Sequence, residues 1–296
     1  MKVAVASGKG GTGKTTVAAS LAWVWPRPAV AVDLDVEAPN LHLFLKPQIE
    51  GRETAFLTVP QLDPSKCDLC RACAELCQFK AISVLGQMVL TFPEMCHGCG
   101  GCLAVCPRGA LTPGQRELGE ILWGYAGRLA FMMGRSRVGE AMSPPLMRAV
   151  KGGLARQFGD AAMDVIIDAP PGVSCPAVNA VMDADVIVLV TEPTPFGLYD
   201  LRLAGEAFRP LGKSMGLVIN RAGIDRDGSG TRALQAYSRE ENLPIWAEIP
   251  YTRDIAQAYA AGQIVAAAAH GMDALFRRLA QRIRKGAAAK GETCHA

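Results

Sequence analysis

Eight of the ten cysteines fall in two runs of one spacing, Cys67-x2-Cys70-x2-Cys73-x3-Cys77 and Cys96-x2-Cys99-x2-Cys102-x3-Cys106. Three closely spaced thiolates can wrap one iron–sulfur cubane while the fourth reaches the neighbouring one. The spacing therefore predicts two [4Fe–4S] centres with crossed ligation. Cys67, Cys70, Cys73 and Cys106 would hold one, and Cys96, Cys99, Cys102 and Cys77 the other. Pro107 follows the second run, whereas Gln78 stands at the matching place after the first; that changes a turn and removes no ligand. Disulfides fit poorly, because the chain opens on what reads as a strand rather than a secretory leader and is large enough to need no staples. Zinc ribbons use C-x2-C pairs, not this triple with a fourth cysteine and proline.

The second chemical feature is Gly8-Lys9-Gly10-Gly11-Thr12-Gly13-Lys14-Thr15-Thr16, preceded by the apolar Val3-Ala4-Val5-Ala6. This is a phosphate-binding loop in the strand-then-helix setting that its function requires. The glycines let main-chain N–H groups turn toward phosphate oxygens, and the helix expected over about 14–25 aims its positive end at them. Lys14 is expected on the β/γ-phosphates and Thr15 on Mg²⁺. Two further apolar strands end in acids: Ala29-Val30-Ala31-Val32 in Asp33-Leu34-Asp35, and Val165-Ile166-Ile167 in Asp168-Ala169-Pro170-Pro171-Gly172. An aspartate at such a strand end commonly holds Mg²⁺, directly or through water, and Asp168 is expected in that role. Read singly, Asp33 or Asp35 would serve equally well as a helix cap or loop charge.

The loop, with its additional Lys9, resembles the deviant P-loop ATPases of the MinD/ParA/Mrp and nitrogenase-iron-protein class. Four further segments sharpen the resemblance to members carrying an inserted two-cluster ferredoxin domain: Asp35-Val36-Glu37-Ala38-Pro39-Asn40-Leu41, Gly139-Glu140-Ala141-Met142-Ser143-Pro144-Pro145, Asp168-Ala169-Pro170-Pro171-Gly172 and Thr191-Glu192-Pro193-Thr194-Pro195-Phe196-Gly197. The resemblance implies an ATP- and Mg²⁺-dependent dimer, formed with itself or a related chain. It implies that Lys9 contacts the partner's nucleotide, that Asp35 positions the attacking water, and that Asp33 and Asp168 order water around Mg²⁺. It also places Asn220 and Pro250 by the adenine, although an Asn after a strand is also an ordinary turn residue. The expected function is a slow, partner-stimulated ATP hydrolase coupled to electron transfer with a redox partner. An iron–sulfur carrier or scaffold and a MinD-like positioning ATPase are the alternatives.

The elements that must position these residues read as an α/β fold, a doubly wound, mostly parallel sheet with an inserted small α+β ferredoxin-like module. The ATPase domain is expected over 1–57 and 114–296, and the module over 58–113, with Pro60, Pro64 and Pro113 punctuating its ends. The two cysteine runs start 29 residues apart, at Cys67 and Cys96, and each is followed by a short Ala-x-x segment. That indicates an internal duplication whose clusters substitute for an apolar core. Two strands are expected over 117–133 about Gly124–Gly127, and a helix over 144–158. Later strands near 185–191, 214–219 and 245–250 alternate with helices near 197–210, 231–241, 252–261 and 271–285.

Composition narrows the class further. With 50% hydrophobic and 20% charged residues the chain is an ordinary globular one, and a net charge of +3 gives no reason to expect nucleic acid. No apolar run approaches the 18 or so residues of a spanning helix, so a cytoplasmic location is expected and membrane contact is not. The last helix sets Met272, Leu275, Phe276, Leu279 and Ile283 on one face and Arg277, Arg278, Arg282, Arg284 and Lys285 elsewhere. Such a helix could lie on anionic lipid, but packing on a sheet is the commoner use. Cys175 reads as a small reduced cysteine in a tight turn, and Cys294 and His295 receive no role.

Overall fold

The computed structural model describes residues 1–159 and 163–291; Cys294 and His295 lie outside the described residues. Strand β1 (Lys2–Ala6) leads through the glycine loop into α1 (Lys14–Val24), then β2 (Ala29–Asp33), the short α2 (Leu41–Leu45) and the long β3 (Gln48–Leu62). The cysteine segment follows, with α3 (Ala72–Leu76), β4 (Ile82–Leu85), β5 (Met88–Thr91) and α4 (Gly101–Val105). The chain returns along β6 (Leu111–Ala126), turns at Gly127-Arg128, and continues through β7 (Leu129–Ser136), α5 (Ser143–Phe158) and β8 (Asp164–Asp168). Regular α/β alternation completes it: α6 (Cys175–Met182), β9 (Val186–Thr191), α7 (Pro195–Phe208), β10 (Ser214–Ala222), α8 (Ser229–Glu240), β11 (Ile245–Pro250), α9 (Arg253–Ala260), α10 (Val265–Ala268) and α11 (Met272–Gly291).

The main sheet has the order β11-β10-β9-β1-β8-β2-β7-β6-β3, parallel from β11 to β7 and antiparallel from β7 to β3. Its central strands are apolar on both sides because helices cover both faces. Val3, Val5, Ala31, Phe131 and Val188 point into one core layer, against α1, α10 and α11. Their neighbours Ala4, Ala6, Val32, Met132 and Leu189 point into the other, which also takes in side chains of α5, α6, α7 and α8. Parallel strands bring all their C-terminal ends to one edge, where Asp168 at the end of β8 and Glu192 just after β9 meet the glycine loop.

The expected boundaries at Thr58 and Pro113 fall inside continuous strands. β3 and β6 pair from Gln48–Tyr125 to Leu62–Leu111, with Pro60 opposite Pro113. β7 reaches only from Gly119 to Ala126 of β6, so beyond that point both strands have a free outer side where a missing proline N–H breaks no ladder. The ribbon bends at Leu118: Ala55 faces Gly119 but Phe56 faces Glu117, leaving Leu118 as the extra residue of a bulge. Its carbonyl accepts a hydrogen bond from Arg137 N–H at 2.9 Å.

Within the cysteine segment the duplication extends to the backbone. The 3-10 turns Pro64–Lys66 and Pro93–Met95, and the helices α3 and α4, recur at the same 29-residue offset as the cysteines. So do three left-handed residues: Leu69 with Gly98, Arg71 with Gly100, and Lys80 with Gly109. The second half uses glycine at all three, whereas the first half places ordinary side chains there, against a penalty of about 1–2 kcal/mol each.

Candidate functional site

The glycine loop is held from two sides. A Cβ on Gly8 would fall 1.9 Å from the Asp200 carbonyl oxygen, so α7 packs directly on the loop. Gly13 has φ +94°, and a Cβ there would strike the Asn220 side chain, whose Nδ2 donates to Thr12 O at 2.7 Å. α1 carries no acid in its first turn, leaving its positive end free for an anion. Asn220 and Pro250 close the C-terminal ends of adjacent β10 and β11, where Tyr251 N–H donates to Ala222 O at 2.9 Å and the Tyr251 ring stays exposed.

Lys14 is buried, and burial lowers its pKa while Asp168 and Asp35 pull it back up. Asp168 is pushed up to about 7, chiefly by burial, against a hydrogen bond from the Thr15 hydroxyl and the charge of Lys14. Its Oδ1, like Thr12 Oγ1, is buried with no hydrogen-bond partner among the described residues. A buried carboxylate oxygen left open beside the Thr15 hydroxyl is a donor set that fits hydrated Mg²⁺. Asp35 is also raised, by burial first, with Lys14 and the Ala38 N–H opposing.

Asp33 is bonded to the main chain of the loop that follows it. Its Oδ1 accepts from Asp35 N–H at 3.0 Å, and its Oδ2 accepts from Asn40 and Leu41 N–H at 2.9 Å each. These bonds make Asp33 shape the loop that carries Asp35, and burial, followed by the neighbouring Asp168, pushes its pKa well up.

The role of Glu192 was not read from the sequence. Glu192, 8% exposed at the end of β9, binds Lys9 Nζ at 2.7 Å through Oε1 and Arg221 Nη1 at 2.7 Å through Oε2. An acid directly after an apolar strand is the signal that drew attention to Asp33 and Asp168, and it would have found Glu192 too.

The eight cysteines gather into two cavities. One is lined by Cys77, Cys96, Cys99 and Cys102 with Leu76, Phe79 and Leu103. The other is lined by Cys67, Cys70, Cys73 and Cys106 with Leu62, Val84, Val89 and Leu111. In each, the isolated cysteine of one run joins the three of the other run. Cys73 is raised by burial and then by its neighbours Cys70 and Cys106, and Cys102 by burial and then by Cys96 and Cys99. Ala110 N–H donates to Cys106 Sγ at 3.3 Å and Gly98 N–H to Cys96 Sγ at 3.4 Å. Among the described residues no group of His, Cys, Asp or Glu closes about a point as the ligands of a single metal ion would. A cubane takes each thiolate on a different iron, so its ligands ring a cavity instead, and the donor set here suits such a group.

A polar knot lies between the two regions. Arg116 of β6 pairs with Glu140 by a short contact, both side chains being almost wholly buried. Glu140 Oε1 also accepts Met142 N–H at 2.8 Å, and Ser143, at the start of α5, donates its hydroxyl to Glu37. Ser136 N–H donates to Val36 O at 2.8 Å. The segment carrying Asp35 and strand β6, which follows Cys106 in the chain, therefore meet on residues 136–143. Cys175 begins α6 and is exposed. On α11, Met272, Phe276, Leu279 and Ile283 are buried in the core layer, so that apolar face is covered by the fold. No described helix is long and apolar enough to cross a membrane.

Comparison with known proteins bears on the nucleotide-binding fold. The uncharacterized protein MJ0578 of Methanocaldococcus jannaschii is 32% identical over 207 residues, covering 69% of this chain and 72% of its own. MJ0579 of the same organism is 28% identical over 272 residues, 89% of this chain and 90% of its own. Among solved structures, the cell division ATPase MinD of Pyrococcus furiosus superposes with a TM-score of 0.56 at 23% identity, covering 96% of this chain and 98% of that one. MinD of Pyrococcus horikoshii complexed with Mg-ADP gives 0.55 at 20% identity, covering 95% of each. At that identity the likeness is one of fold. Residues 3–265, which span the glycine loop, the strand-end acids and the cysteine segment alike, match the CobQ/CobB/MinD/ParA nucleotide-binding domain, and the chain belongs to that family.

Proposed function

We propose that this chain is a dimerising MgATPase that couples ATP binding and hydrolysis to electron transfer through two [4Fe–4S] clusters in residues 64–110, in exchange with a redox partner protein. The observation that carries the cluster half is the sorting of the cysteines: two cavities, each lined by three cysteines of one run and the fourth of the other. The nucleotide half rests on family membership together with the open edge formed by the glycine loop, Lys14, Thr15 and Asp168.

In this reading the loop amides and Lys14 neutralise phosphate charge, and Lys9 adds a cation from the partner subunit. Asp35 orients the attacking water, and Asp168 with Thr15 holds the coordination sphere of Mg²⁺. The metal, when bound, supplies charge neutralisation at the β- and γ-phosphates. The clusters, when bound, would supply one-electron carriers, and the Gly98 and Ala110 N–H groups donated to the Cys96 and Cys106 sulfurs are among the features that would set their potentials. Crossed ligation by Cys77 and Cys106 ties the two halves of the module together. The Arg116–Glu140 pair and the Glu37–Ser143 bond give motion of the Asp35 segment a short path to the ribbon that bears the module.

Anaerobically prepared protein should contain about eight iron and about eight sulfide per chain, as two cubanes require. In Cys77→Ser, electron paramagnetic resonance should show the signal of the cluster on Cys96, Cys99 and Cys102 altered and the other retained. Half that iron in the wild type, zinc in its place, or loss of the cluster on Cys67, Cys70 and Cys73 alone in the variant would defeat the assignment.

A further inference from the structure

Lys9 is the residue that the dimer reading sends across to a partner's nucleotide, yet in the single subunit it is already engaged. Its ammonium lies 2.7 Å from Glu192 Oε1, with the lysine side chain 28% exposed and the glutamate side chain 10%. An ammonium in that contact cannot also reach phosphates on another chain. Assembly must therefore exchange one anion for another. A buried carboxylate stripped of its only cation would be a heavy penalty, because the charge would remain desolvated and unpaired. Glu192 avoids that state: its other oxygen holds Arg221 Nη1 at 2.7 Å. Arg221 is itself fixed in place, in the left-handed region at φ +56°, with its N–H donated to Asn220 Oδ1 at 2.9 Å. Asn220 in turn binds the glycine loop through Thr12 O.

We propose that Glu192 is a latch on Lys9, a positioning residue that holds the lysine in its own subunit until a nucleotide phosphate across the dimer takes it over, with Arg221 keeping the carboxylate paired after release. This rests on the dimer reading above and adds to it a reason for the dimer to form only with nucleotide. Without a phosphate to receive it, Lys9 gains nothing by leaving Glu192. Because Arg221 sits beside Asn220, the latch is also joined to the side of the loop where the base is expected.

Two measurements test this, on the full chain with its clusters in place. In the first, ATP-dependent self-association is measured by sedimentation for wild type, Glu192→Gln, Lys9→Ala and the double variant. Glutamine keeps the shape and one hydrogen bond but removes the charge. Each dimer breaks two latches, so Glu192→Gln should tighten the ATP-bound dimer roughly 2- to 30-fold, the range expected for two partly exposed ion pairs. The gain should vanish when Lys9 is absent. Unchanged or weaker association, or equal tightening without Lys9, would overturn the latch. The second measurement needs no dimer: Lys9 in the nucleotide-free monomer is labelled with a small acylating reagent and read by mass spectrometry. Glu192→Gln should raise the labelling rate several-fold, and an unchanged rate would overturn the latch whatever the assembly state. Failure of every variant to associate with ATP, alongside faster labelling, would instead refute the dimer reading and the assembly role with it.

Discussion

The two ends of the β3–β6 ribbon are stabilised in opposite ways. At the inner end the protein supplies its own core: strands β1, β2, β8 and β9 are buried on both faces, and the glycine loop is clamped by Asp200 and Asn220. At the outer end the apolar side chains have little protein to bury against. Leu76, Phe79, Leu85, Met88, Phe92, Met95 and Val105 are each more than a third exposed, while the buried residues there reduce to Ala81, Ile82, Cys96, Ala110 and Leu111. The nucleotide edge is thus held by the protein's own packing, whereas under the proposed function the cysteine module would depend on the clusters its thiols hold.

If the module holds the proposed clusters, removing their iron should break the comparison most visibly. On chelation under reducing conditions, amides in 64–110 should lose essentially all protection from hydrogen exchange, while β1, β8 and β9 keep theirs. Equal protection of the module with and without iron would show that it has a core of its own. A smaller but still large effect is expected at the join. Glu140→Ala leaves Arg116 buried without its partner, and breaking such a pair typically costs about 3–5 kcal/mol. Adding Arg116→Met should recover most of the loss, since a neutral side chain of similar length removes the stranded charge. A urea melt in which Glu140→Ala costs under about 1 kcal/mol would show that the knot does not hold the ribbon to the body.

The smallest expected effect sharpens the description of the inner end. Asp168, raised to about 7, keeps a proton in the folded, ligand-free protein that the unfolded chain releases near pH 4. Its contribution to stability is therefore present below about pH 4 and is lost as pH rises through about 7. Mg²⁺-nucleotide needs the ionised carboxylate, so its affinity should rise with pH, by up to about tenfold per unit below 7, and level off above. Calorimetry between pH 6 and 8 checks this, and a pH-independent affinity would mean that Asp168 is ionised before ligand arrives.

Much of this was legible because its signals are local. The glycine loop, the acids after apolar strands and the two cysteine runs each carry their chemistry within a dozen residues, and α7 and α9 start where Thr194 and Thr252 cap them. The first half of β3 was not legible. Gln48–Thr54 is polar and carries charges, and only pairing with β6, some seventy residues away, makes it a strand. Helix α6 was missed for want of a long apolar stripe, and Arg116–Glu140 and Lys9–Glu192 because an ion pair between distant segments leaves no periodicity in either. Asp33 was identifiable as important but not as a loop organiser, since that depends on which N–H groups the folded loop turns toward it.

The central claim is that the nucleotide edge and the cluster module are energetically coupled, and coupling between two sites is reciprocal. The direct test is to titrate ATP, in the presence of Mg²⁺, against oxidised, reduced and cluster-free protein under anaerobic conditions. The account predicts ATP affinities that differ among the three forms by about 5- to 150-fold, with a cluster potential that shifts when ATP is added by the amount the oxidised-to-reduced affinity ratio requires. Identical affinities in all three forms, together with an unshifted potential, would contradict it and leave two independent modules on one chain.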